Sequence, residues 1–154
     1  MPRKRDRWPE LCKLVEDDDK LPVREDVGRW TEDKLWFWSR YGDITTDAMV
    51  GRSEWAAGLV YVDLFSGPGV CEIAKTRRRI PGSVLIAAHA NKPFRKIIAS
   101  ELKPNLAAAC RRRLEASGTR SEFEVICGDA NTLVESIVSK IPARALTLAF
   151  VDPE

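Results

Sequence analysis

The sequence predicts an α/β fold built on a parallel sheet with both faces covered. From residue 59 onward, apolar runs of strand length (LVYVDLF, KIIASE, FEVICGD and ALTLAFVDP) alternate with helical stretches. Hydrophobicity within the runs is near-continuous, the mark of strands buried on both faces. Each run also carries an acid at or near its carboxyl end: Asp63, Glu101, Asp129 and Asp152.

The elements follow in chain order. MPRKRDRW reads as a mobile, basic arm. PELCKLVED suits a short helix with Pro9 at its first position. DDDKLPVRED reads as a charged loop. In WTEDKLWFWSRYG, Thr31 is placed to cap a helix, Glu32 and Asp33 favour its positive end, and Gly42 is placed to stop it. Leu35, Trp38 and Tyr41 fall three apart and form an apolar stripe that packs on a core. LVYVDLF is then the first main strand. After an insert, VCEIAKTRRRIPG, a helix runs through GSVLIAAHAN with Ser83 as its cap. KIIASE is the second strand, and KPNLAAACRRRLEASG a helix between Pro104 and Gly118. FEVICGD is the third strand, NTLVESIVSK the next helix and ALTLAFVDP the fourth strand. Residues 1–50 thus form a basic arm and helical segment, and residues 51–154 the α/β part.

Composition narrows the function classes. The 154 residues carry 25 Lys and Arg against 23 Asp and Glu, a net charge of +2. That balance does not imply nucleic-acid binding by bulk electrostatics. No apolar run reaches membrane-spanning length, and no signal-peptide core follows the basic start, so a cytoplasmic protein with no membrane partner is expected. Cys12, Cys71, Cys110 and Cys127 are scattered, form no C-x-x-C pair and have no histidine near them. Free thiols and no metal site are expected.

The chemistry concentrates in VDLFSGPG. Asp63 sits inside an apolar strand, and Gly67 and Gly69 follow in a turn whose backbone can approach a ligand closely. In doubly wound sheets, ligands bind beyond the carboxyl ends of the strands. Asp63 is expected there to be satisfied by a bound ligand or, alternatively, to cap its own backbone in a tight strand-to-loop turn. Glu101 is placed for the two hydroxyls of a ribose, and Asp129 for an adenine amino group or, alternatively, as a helix cap. The dinucleotide fingerprint G-x-G-x-x-G fails, because Glu72 stands at the third glycine position and the next helix starts late. An adenosyl ligand with an amino-acid end and no phosphates fits better, which is S-adenosylmethionine.

VDLFSGPG, SELKPN, GDAN and FVDPE, with VGRWTEDKLWFWSRY upstream, resemble the three-Cys-motif partner protein family over residues 27–154. The resemblance implies an S-adenosylmethionine-dependent methyltransferase with a Rossmann-like fold. Asp63, Phe65, Ser66, Gly67 and Gly69 would hold the methionine part, Glu101 the ribose and Asp129 the adenine. Asp152 and Pro153 would lie on the catalytic side. A three-Cys-motif protein becomes a candidate partner, and nucleic acid a candidate acceptor. DLFSGPG is also similar to the first motif of cytosine-5 DNA methyltransferases, but their Pro-Cys nucleophile has no counterpart here. The alternative class is a non-catalytic Rossmann-like module that binds nucleic acid or a partner protein.

The fold family implies about seven strands, and the sequence supplies four. A fragment is therefore expected, inactive by itself, with sheet order 3-2-1-4 and the fourth strand at an open edge. That strand is uncharged over 145–151, so a homodimer through it is expected. Of two basic runs, 111–113 reads as a solvated helix face. The run at 75–79 lies beside the site, where it could meet phosphates.

Overall fold

The computed structural model describes residues 5–153. The MPRK start and Glu154 lie outside them. The described chain runs α1 (Trp8–Lys13), β1 (Arg24–Val27), α2 (Arg29–Met49), a 3-10 turn (Ser53–Trp55), β2 (Leu59–Asp63), β3 (Val70–Ile73), β4 (Arg79–Pro81), α3 (Ser83–Ala88), β5 (Lys96–Glu101), α4 (Pro104–Ala116), β6 (Glu122–Cys127), α5 (Ala130–Ser139) and β7 (Leu146–Phe150).

The main sheet has four parallel strands in the order β6-β5-β2-β7. Three strands outside this sheet shift the count, so the order over the whole chain is not 3-2-1-4. The four strands read from the sequence nevertheless lie side by side as third, second, first and fourth. β2 is buried along its whole length because both faces are covered. Leu59 and Tyr61 point into a core shared with α3 and α4, through Val84, Leu85, Ala107, Cys110 and Leu114. Val60 and Val62 point the other way, onto Ile137 of α5. This two-sided burial is why the strand needs no alternation.

The second sheet is absent from the sequence reading. β1, expected as charged loop, pairs in parallel with β3, and β3 turns back antiparallel on β4. The expected insert is therefore a hairpin, and β1 extends it. A second core lies under this sheet, with Trp8 and Leu11 of α1, Val27 of β1, Leu35 of α2 and Ile80 of β4. The polar REDV hides its strand character because only Val27 is buried; the pairing is decided by β3.

Helix ends shift for similar reasons. α2 starts on Gly28 with no side-chain cap and runs past Gly42 to Met49, so neither Thr31 nor Gly42 plays its expected part. Contacts beyond the glycine hold the extra turns: Asp43 takes Arg7 and the Asn91 amide, and Thr46 is fully buried. These outweigh a mid-helix glycine cost of about 1 kcal/mol. Of the expected stripe, Leu35 is buried and Trp38 packs on Tyr61 and Phe150, but Tyr41 is exposed. The basic arm is anchored from Asp6 on: Asp6 accepts the Trp36 indole N–H at 3.1 Å, Arg7 also donates to the His89 carbonyl at 2.7 Å, and Trp8 is buried. No helix among the described residues is long and apolar enough to cross a membrane.

Candidate functional site

Parallel register sets the site. Asp63 lies level with Ala99 of β5 and Phe150 of β7, and Glu101 lies level with Cys127 of β6. The carboxyl ends of all four strands therefore share one edge, with Asp63, Glu101, Asp129 and Asp152 along it.

Asp63 is fully buried, and its own protein satisfies it. One oxygen accepts the Tyr61 hydroxyl at 2.9 Å and the Ser83 hydroxyl at 2.6 Å; the other accepts the Phe65 amide at 3.3 Å. The expectation that a ligand satisfies this carboxylate is corrected: it ties β2, α3 and the following turn together. Ser83 opens α3, but Gly82 is the cap residue, and the Ser83 hydroxyl serves Asp63 instead. Burial pushes the Asp63 carboxyl up to about 6, against the opposing pull of the Ser83 and Tyr61 hydroxyls. Burial also pushes the Tyr61 hydroxyl well above its ordinary range, so it remains a donor.

The turn after β2 is fixed from both sides. Gly67 has φ +58° and open space where a Cβ would point, so its backbone faces the cleft bare. Its amide donates to Glu101 Oε2 at 3.1 Å. The other Glu101 oxygen accepts the Lys103 amide at 2.8 Å. An ionised carboxylate has about four acceptor positions, so Glu101 keeps capacity for hydroxyl donors. Ser66 is buried beneath the turn, with its amide on the Ser100 carbonyl. Arg113 grips the turn from behind, donating to the Pro68 carbonyl at 2.7 Å. The same guanidinium binds both oxygens of Asp19 and the carbonyls of Leu21 and Pro22. That ion pair holds the Asp19 carboxyl well below the usual carboxylate range. Of the 111–113 run, Arg111 and Arg112 lie on a solvated face as expected, Arg111 also donating to the Val125 carbonyl, but Arg113 is buried.

Asp129 sits beyond β6, next to Glu101 through the Gly128 amide on the Glu101 carbonyl at 3.0 Å. It caps α5, with one oxygen accepting the Asn131 amide at 2.8 Å. Asp152 lies beyond β7 and forms an ion pair with Lys34 of α2; Pro153 follows, exposed. Phe65, Gly67, Gly69, Phe150 and Asp152 line one narrow cleft together with Arg24, Thr31 and Lys34. Arg24 and Thr31 also border a wider, open cleft of about 660 Å³, which reaches Lys103, Asn105 and Leu106 at the start of α4. Glu101 stands between the glycine turn and that helix start.

Lys34, Arg24, Thr31 and Arg113 are missed by sequence reasoning. Lys34 reads as an ordinary charge in the first turns of a helix, and nothing local says that it meets a residue 118 positions away. Tyr61 was within reach, since two residues apart on a strand share a face. In the 75–79 basic run, Arg79 is buried and pairs with Asp18 and Asp19, whereas Arg77 and Arg78 stay exposed while pairing with Glu72 and Glu32. All four cysteines are free, and burial pushes the Cys110 thiol up to about 12.

Comparison of the chain with family models, curated proteins and solved structures found no match. The family resemblance thus rests on the short motifs alone.

Proposed function

We propose that this chain is the cofactor-binding portion of an S-adenosylmethionine-dependent methyltransferase. The observation that carries the reading is the joining of Gly67 to Glu101: a bare glycine turn at the end of the first main strand, held against a carboxylate at the end of the second. A ligand there meets backbone on one side and two unused carboxylate acceptor positions on the other. That pairing suits an adenosyl group with a ribose diol. When bound, the cofactor would supply an electrophilic methyl group on its sulfonium.

The chain's own residues would then act by position and charge. Glu101 takes the ribose hydroxyls. The uncapped oxygen of Asp129 takes the adenine amino group. Arg24 and Lys34 bring positive charge beside the glycine turn, where the amino-acid carboxylate would lie. Phe65 and Phe150 exclude water from the narrow cleft. Asp63 acts through the turn that it anchors. Asp152, paired with Lys34, is placed to orient the acceptor or take its proton. Acceptor classes include nucleic acid, and a three-Cys-motif protein remains the partner that the motif resemblance suggests. The burial of Arg79 in its pairs with Asp18 and Asp19 withdraws that one residue of the 75–79 run from phosphate contacts.

Isothermal titration with S-adenosylmethionine and S-adenosylhomocysteine tests the reading. Glu101→Ala should lose about 2–4 kcal/mol, the worth of two hydrogen bonds to a charged acceptor. Unchanged affinity in that variant removes Glu101 from the site, and no binding by the wild type removes the reading.

A further inference from the structure

The outer face of α2 carries an apolar stripe that nothing in the described chain covers. Trp30, Phe37, Tyr41 and Ile44 are exposed by 76, 65, 55 and 53 %. Their spacing of seven, four and three puts them on one side of the helix, within a fifth of a turn of one another, at 100° per residue. The opposite side holds Leu35, Ser39, Gly42 and Thr46, all buried. An amphipathic surface helix normally turns polar residues outward; this one turns large apolar side chains outward.

The area decides whether the stripe needs an explanation. Aromatic side chains expose about 150–250 Å² each when fully open, so this stripe leaves on the order of 450 Å² of apolar surface. That lies at the upper end of what monomers leave bare, and it is about half of one partner's share in a standard interface.

The stripe is also self-complementary. Phe37 is its midpoint: Trp30 lies seven residues before it and Ile44 seven after. If a second α2 is laid antiparallel across a two-fold axis at Phe37, Trp30 of each copy falls against Ile44 of the other, and the two Phe37 rings meet. Asp33 of each copy falls opposite Tyr41 and beside Arg40 of the other, which sets acid against base twice. An isologous interface requires this reciprocity of one patch with itself. By contrast, the open edge of β7 presents only Thr147 and Ala149 as exposed side chains, because Leu146, Leu148 and Phe150 turn toward the core.

We propose that a second copy of this chain docks on the outer face of α2, as a two-fold dimer centred on Phe37. The interface is independent of the methyltransferase reading. Sedimentation velocity on the 154-residue chain between about 5 and 100 μM should show a dimer. Phe37→Asp puts a like charge on the axis and should weaken the dimer at least ~30-fold, the loss expected for a central anchor. Phe37 is exposed, so the unfolding midpoint of that variant should stay near wild type and report an intact fold. Phe37→Cys adds a geometric readout: under mild oxidation it should give a covalent dimer well beyond the background from the native cysteines. A monomeric wild type at 100 μM overturns the proposal. So does a dimer that survives Phe37→Asp, or one that Leu148→Lys abolishes while Phe37→Asp does not, which would move the interface to the β7 edge.

Discussion

Asp63 shows what one buried acid does to a fold. Its carboxyl rises from the ordinary 3.8 to about 6. Between those values the folded protein holds a proton that the unfolded chain has released. Stability therefore falls as pH rises from about 4 to about 6, by on the order of 3 kcal/mol, and then levels. Urea unfolding from pH 4.5 to 7.5 should show this slope in the wild type, and Asp63→Asn should flatten it; equal slopes would mean that Asp63 keeps no proton when buried. Asp19 works in the opposite direction and in a separate window. Its carboxyl is depressed, so its contribution is present above about 4 and disappears below. Arg113, the partner of Asp19, makes the sharper test. Arg113→Met keeps the packed stem but leaves the carbonyls of Leu21, Pro22 and Pro68 without their donor. A loss of about 3 kcal/mol or more in chemical unfolding is expected.

Among elements, two glycines separate helix chemistry from packing. Gly42 lies inside α2, and a Cβ there would meet nothing within 4 Å. Gly42→Ala should stabilise the protein by about 0.5–1 kcal/mol, measured by thermal or urea unfolding, through a better helix former and a less flexible unfolded chain. Gly82 begins α3 with its amide on the Gly69 carbonyl at 2.8 Å. A Cβ there would stand 3.0 Å from the Gly69 carbon and oxygen. Because backbone is the obstacle, Gly82→Ala should cost about 2 kcal/mol or more and displace the turn that carries Gly67. A silent Gly82→Ala would show that α3 and the glycine turn are not held at contact distance.

For the whole molecule, the proposed cofactor should act as a ligand of the folded state alone. S-adenosylhomocysteine at a hundred times its dissociation constant should add about 2.7 kcal/mol, a rise of several degrees in the unfolding midpoint. Glu101→Ala should blunt that rise. The β1-β3-β4 sheet bears on this property, because it carries Arg24 and sets α2, with Thr31 and Lys34, over the glycine turn. The N-terminal segment is thus a wall of the cleft.

The sequence determined the four parallel strands, the helices between them, and the sheet edge on which Asp63, Glu101, Asp129 and Asp152 gather. Continuous apolar runs, helix punctuation and strand-end acids are local signals, and the parallel register then brings the ends together. Tertiary structure decided the rest. REDV is a strand only because β3 offers a ladder. Gly42 is helical only because Arg7, Asn91 and a buried Thr46 hold the turns beyond it. Asp63 is satisfied by Ser83, twenty residues on. Arg113 and Lys34 are ordinary charges in the chain and become clamps only when Asp19, Pro68 and Asp152 arrive beside them. A residue's partners are set by distances in space, and no local pattern encodes which distant segment will supply them.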